Sequence, residues 1–193
     1  MRPTLAVFAV AAVAQWFLPL AGVWQHERVV SRGVPMRIRC LAPDPYDPLR
    51  GRYLAVRPEE FRLPRPEGMS DSGRAPVWAT LVAGEDGVAR IESLSLEPVS
   101  GPTVIRLEAT GLYRDEGGDT VFVAWPFDRF DLNERLAPDA DKLVAERYRE
   151  GQERPVAEIR VLDGRAVLTD VLVDGVSIRD VVRRRAAETP PPR

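Results

Sequence analysis

The chain reads as a mainly β domain, an antiparallel sandwich or partly open barrel with one packed α-helix, preceded by an N-terminal transmembrane helix. Three observations predict this. Eighteen prolines and fourteen glycines in 193 residues cut the chain into short runs joined by turns, which disfavours a helical bundle. Several of those runs alternate apolar and polar residues, the period-two pattern of a half-buried strand. The one long apolar stretch, Leu5 to Trp24, is interrupted only by Gln15. Its length matches the roughly 20 residues of helix that span a hydrocarbon core.

From the N-terminus, residues 1–4 form a short cap, 5–24 the membrane segment, 25–33 a polar linker, 34–182 the β-rich domain and 183–193 a disordered basic tail ending in prolines. Trp24 suits the ring of aromatic side chains found at a bilayer interface. Ala12-Val13-Ala14 also resembles a signal-peptidase site, and cleavage there would release a secreted form. No cysteine lies near the end of the segment, which excludes a lipoprotein anchor.

Within the domain, Val34 to Leu41 alternates as a first strand. Tyr53 to Arg57 gives a second, and 58–76 a long surface loop rich in Pro, Gly and charge. Val77 to Ala83 and Val88 to Leu96 flank Asp86-Gly87, a hairpin signature. Thr103 to Tyr113 and Thr120 to Trp125 are two further strands, with an acidic Phe-containing loop at 128–131 after them. Pro138 to Glu150 is the convincing helix. Pro138 fits its first position, Asp139 and Asp141 its positive end, Arg147 and Arg149 its negative end, and Gly151 its close. Val156 to Leu162 and Ala166 to Val173 form a hairpin around Asp163-Gly164. Asp174-Gly175 then turns into a last extended run, 176–182.

The chemistry-bearing stretch is Asp44-Pro45-Tyr46-Asp47-Pro48-Leu49-Arg50-Gly51-Arg52-Tyr53. Pro45 and Pro48 fix φ and remove N–H donors, so neither helix nor regular strand continues through them. Gly51 can take a positive φ at the exit. Asp44 and Asp47 are near enough in sequence to pair with Arg50 and Arg52. The result is either a rigid, self-paired turn or a preorganised contact surface. Asp44, Asp47, Arg50, Gly51, Arg52 and Tyr53 are the candidate binding residues. Two aspartates fall short of the 6–8 oxygens that calcium takes.

This stretch resembles the central motif of the GDYXXLXY family, through Asp44, Pro45, Asp47, Pro48, Leu49, Arg50, Gly51 and Tyr53. Arg52 stands where the family has an acidic residue, Val56 where it has Leu, and Pro58 where it has a second Tyr. A second similarity runs through Val161-Leu162-Asp163-Gly164-Arg165-Ala166 and Val173-Asp174-Gly175. The resemblance implies a membrane-anchored protein and transfers no catalytic residue.

Composition limits the functions available. A net charge of −2 argues against a general nucleic-acid footprint. One histidine, His26, and one cysteine, Cys40, exclude zinc sites built on several His or Cys ligands. Cys40 sits in an apolar run as a core residue would. Nothing in the residues calls for a cofactor. Paired carboxylates at Asp44 and Asp47, or at Asp128 and Asp131, leave a cell-envelope hydrolase as one alternative, and a Ser-Lys dyad would have to recruit Lys142. A secreted periplasmic structural protein is another. The expectation that best fits the whole is a single-pass membrane protein. Its extracytoplasmic (periplasmic) β domain binds or helps assemble an integral membrane protein or envelope component.

Overall fold

A computed structural model of the chain describes residues 3–41, 53–70, 74–115, 118–133, 136–152 and 154–188. Helix α1 (Pro3–Arg32) leads into strand β1 (Val34–Leu41). The short strands β2 (Tyr53–Ala55), β3 (Arg57–Pro58) and β4 (Arg62–Pro64) follow. Next come β5 (Ala75–Ala83), β6 (Ala89–Ser95), β7 (Val104–Asp115), β8 (Gly118–Ala124) and β9 (Arg129–Asp131). Helix α2 (Ala137–Arg149) precedes β10 (Val156–Leu162), β11 (Arg165–Val173) and β12 (Val176–Ser177), and helix α3 (Ile178–Glu188) closes the described chain.

The strands form two five-stranded sheets, ordered β12-β11-β10-β1-β3 and β4-β8-β7-β5-β6, and a two-stranded ribbon, β2-β9. All strand pairs are antiparallel. One short segment belongs to both large sheets. At Pro58 it pairs with Cys40 of β1, and at Leu63 with Val121 of β8. On another side Ile105 of β7 bridges Gly164, and the Arg106 N–H donates to the Gly164 carbonyl at 2.8 Å. These links wrap the sheets into a nearly closed, barrel-like body. Its interior is filled by alternating residues such as Ile38, Val77, Ile105, Val121, Ile159 and Val171. Period-two alternation is what places them there, because successive strand side chains face opposite sides.

Most expected strands, both Asp-Gly hairpins and the helix beginning near Pro138 form as the patterns predict. Asp163 closes the β10–β11 turn with φ 50°, followed by Gly164 at φ 77°, the left-handed pair that a tight two-residue turn demands. Of the apolar stripe expected on α2 (Ala140, Leu143, Val144 and Tyr148), the first three are buried in the core where α2 meets β2 and α3, whereas Tyr148 is 46% exposed.

Five expectations need correction. The linker expected at 25–33 is helical to Arg32, because nothing in 25–32 breaks a helix and Val29, 3% exposed, gains by packing on the domain. The 58–76 loop contributes β3 and β4, since edge positions tolerate proline. The acidic loop at 128–131 contains β9, which pairs with β2. The extended run at 176–182 stops pairing after Ser177, and Ile178 and Val182, one helical turn apart, bury the inner face of α3. The tail expected to be disordered from 183 is helical to Glu188, while 189–193 lie outside the described residues. A second helix, α3, therefore packs on the domain beside the one expected.

Among the described residues no helix is long and apolar enough to cross a membrane. The side chains of 3–6, 9 and 10 fall outside that set. The largely apolar part of α1 whose side chains are described without a break, 11–24, covers about 21 Å of helix at about 1.5 Å per residue, against about 30 Å of hydrocarbon core.

Candidate functional site

Of the predicted binding residues, Asp44, Asp47, Arg50, Gly51 and Arg52 lie outside the described residues. Tyr53 is described, and it opens β2. Leu54 and its partner Phe130 point inward, 2% and 4% exposed, so Tyr53 and Arg129 face outward by alternation. The Arg129 guanidinium lies 5.5 Å from the Tyr53 ring centroid, and its Nε is 3.2 Å from Asp128 Oδ1. Arg179 of α3 stands 4.3 Å over the Phe130 ring and donates to the Asp131 carbonyl at 3.3 Å. Two motifs separate in sequence, Tyr53 and Arg129-Phe130-Asp131 with Asp128 just before it, thus meet at one ribbon. The Asp128 carboxylate is 81% exposed and engaged by Arg129. That is an open surface rather than the desolvated pocket in which a carboxyl becomes an effective general acid at neutral pH.

Sequence patterns did not single out a cleft of about 360 Å³ between the edge of β1, the β3 segment and the start of β6. Its centre is Glu60, whose Oε2 accepts the Ile91 N–H at 2.5 Å. Trp125 Nε1 donates to the Glu60 carbonyl at 2.8 Å, and the Trp125 ring leans on Phe127 with centroids 5.7 Å apart. Burial raises the Glu60 pKa above the usual carboxylate range, against the opposing pull of the Ile91 N–H and of Arg90. At the mouth, Asp86 takes Arg39 at 3.0 Å and Arg90 at 3.4 Å. Its pKa is lowered, first by the Val88 N–H and then by those arginines. Glu59, next in sequence, pairs with Arg154. The arrangement offers one partly desolvated acceptor beside several guanidinia. It suits a ligand bearing hydrogen-bond donors, and the other carboxylate residue of the lining, Glu59, is already paired with Arg154. The available signal was the Glu59-Glu60 pair between Pro58 and Phe61, which looks like ordinary loop charge until β3 and β4 are seen to pair.

Cys40 is buried, and desolvation pushes its thiol up to about 12, so it is a core residue and no nucleophile. Among the described residues no group of three His, Cys, Asp or Glu side chains could hold a metal ion.

The third feature is the seat of α1. Arg28 reaches Asp163 at 3.0 Å and stands 5.7 Å from the Trp24 ring. Val29 is buried against β10 and β11. Gly33 N–H closes the helix on the Val29 carbonyl at 2.8 Å. A Cβ at Gly33 would lie 2.5 Å from that oxygen and 3.0 Å from Arg160 Cβ, so the crossing accepts only glycine without adjustment. The helix end and the sheet are therefore joined without a flexible spacer. Further up α1, Val7, Phe8, Trp16, Phe17, Leu18 and Val23 are each more than half exposed. At about 100° per residue they point to every side of the helix.

The GDYXXLXY protein family model matches residues 15–171, a span that takes in the end of α1, the proline-rich stretch before Tyr53 and the β10–β11 hairpin. No curated protein and no solved structure matches the chain.

Proposed function

The chain belongs to the GDYXXLXY family, and we propose that it is a membrane-anchored, extracytoplasmic binding or assembly module for an integral membrane or envelope partner. The observation that carries this is α1. Between Val7 and Trp24 it exposes apolar side chains on all sides, and it is fixed to the domain at Val29 and Gly33. A helix hydrophobic around its whole circumference needs an apolar surround. The barrel-like body covers only its last turns, and Leu5 to Trp24 has the length of a bilayer core. Arg28 and Trp24 then sit where a headgroup layer would be, as interfacial anchors do. Asp44, Asp47, Arg50, Gly51 and Arg52, with Tyr53 on its ribbon, are the proposed partner face. Confinement beside the bilayer raises the effective concentration of any membrane partner, so weak contacts suffice.

Fractionation of cells expressing the full chain, followed by protease addition to intact cells with permeabilised outer layers, tests this reading. The expected result is a carbonate-resistant membrane pellet whose β domain is cut from outside. A protein recovered in the soluble fraction would refute the anchor, and a protected domain would refute the orientation. Charge reversal at Arg50 and Arg52 tests the partner face. It should leave the melting temperature unchanged and abolish crosslinking to a membrane partner. The hydrolase alternative draws no comparable support from its described pair, because Asp128 and Asp131 are solvent-facing, and its other pair, Asp44 and Asp47, lies outside the described residues.

A further inference from the structure

We infer that the crevice between the end of α1 and the β10–β11 turn is a binding site for the phosphate of an anionic phospholipid. This rests on the anchoring proposed above and specifies what the domain does at the bilayer surface. The crevice holds about 560 Å³. One wall is α1, through Gly22, His26 and Val29, which recur at helical spacing on one face. The other wall carries Trp78, Arg106 and Arg165.

Depth comes first. If Trp24 marks the edge of the hydrocarbon, residues 25–29 lie about 1.5–7.5 Å beyond it at 1.5 Å per residue. The headgroup layer on each side is about 5–8 Å thick, from the difference between total and hydrocarbon thickness. The crevice therefore opens at headgroup depth, and the rigid Gly33 crossing holds it there.

Charge comes second. Arg28 is tied to Asp163, so the one acid lining the crevice is already neutralised. Arg106 and Arg165 have no carboxylate partner among the described residues. Both side chains are exposed, and the Arg106 backbone is pinned by its bond to the Gly164 carbonyl at 2.8 Å. Its guanidinium lies 5.8 Å from the Trp78 ring centroid, within cation–π range. Two guanidinia on one wall present forked donors, the geometry that matches phosphate oxygens. A headgroup is favoured over a free anion because the crevice continues directly into the apolar surface of α1, where acyl chains would lie.

The test uses the full chain in mixed micelles of phosphatidylcholine and phosphatidylglycerol, with bound lipid read by native mass spectrometry. The wild-type protein should retain phosphatidylglycerol over phosphatidylcholine by at least about tenfold, a difference of about 1.4 kcal/mol. Arg106→Gln/Arg165→Gln should lose that preference. Arg90→Gln/Arg154→Gln, an equal loss of charge beside the Glu60 cleft, should keep it. Arg165→Gln alone, on an exposed position, should weaken it even if the double variant fails to fold. No preference in the wild type, equal loss in both double variants, or displacement of the lipid by millimolar inorganic phosphate would each overturn the proposal. Flotation with pure phosphatidylcholine vesicles reports on the anchor separately. A chain that floats but shows no anionic preference sinks only this inference, whereas a chain that does not float sinks the anchoring as well.

Discussion

Gly33→Ala should loosen the joint between helix and domain, and its cost follows from the geometry. The added methyl would stand 2.5 Å from the Val29 carbonyl oxygen, 3.0 Å from Arg160 Cβ and 3.0 Å from the Val161 nitrogen. Two of those three atoms belong to the backbone, so relief requires the helix end to move away from β10. Overpacking of this kind costs about 1–3 kcal/mol. For a chain of this size about 1 kcal/mol shifts the melting temperature by about 2–4 °C, which gives a fall of about 2–12 °C. The same substitution at Gly22, in the same helix with nothing within 4 Å of the new methyl, provides the comparison. There, alanine should stabilise by about 0.5–1 kcal/mol through helix propensity. Thermal melts of both variants in one detergent, with limited proteolysis at residues 25–32, measure the effect. Gly33→Ala should melt lower and cleave faster near the joint, and Gly22→Ala should do neither. If the two variants melt together at or above the wild-type temperature, the close approach at Gly33 does not hold the joint.

The remaining predictions concern the core and the Glu60 cleft. Ile159→Ala, at a fully buried position in the centre of its sheet, should destabilise by about 2–5 kcal/mol in urea titration. Glu60 has a raised folded pKa, so its contribution is most favourable below the unfolded pKa and is lost as pH rises through the folded value. Glu60→Gln should therefore flatten the fall in stability with rising pH just above the ordinary carboxylate range, measured by denaturant unfolding at stepped pH. Asp86 is lowered, so its contribution is present above the unfolded pKa and is lost as pH falls through the folded value. Asp86→Asn should remove part of the acid sensitivity and so change the pH slope in the opposite sense to Glu60→Gln. The Cys40 thiol, raised to about 12 and buried, should resist a thiol reagent at pH 8 in the folded chain and react fully in denaturant.

Local information was sufficient wherever a residue's role depends on its immediate neighbours. Alternation placed Met36, Ile38 and Cys40 on the inner face of β1, and Asp-Gly pairs located the β5–β6 and β10–β11 turns. Pro138 and the charge gradient after it located α2 to within a residue. The family was also legible, because its motif is a contiguous string, and the matching model spans 15–171. Four elements were misread because their state depends on distant partners. Residues 25–32 stay helical because Val29 finds β10 and β11, and 57–64 becomes two strands because β1 and β8 offer open edges. The β9 strand exists because β2 needs a partner, and α3 forms where the Ile178 and Val182 pair meets the core.

The sites divide in the same way. The sequence by itself determined a β-rich body with a long apolar N-terminal run, an acid- and arginine-bearing stretch before Tyr53, and too few histidines and cysteines for a multi-ligand zinc centre. Only the tertiary structure decided that Tyr53 meets Arg129, that Glu60 is partly desolvated beside Ile91, and that Arg106 and Arg165 face α1 across a crevice. The physical reason is range. Hydrophobic period and turn chemistry act over a few residues, whereas desolvation and charge pairing depend on what the closed sheets bring together from far along the chain.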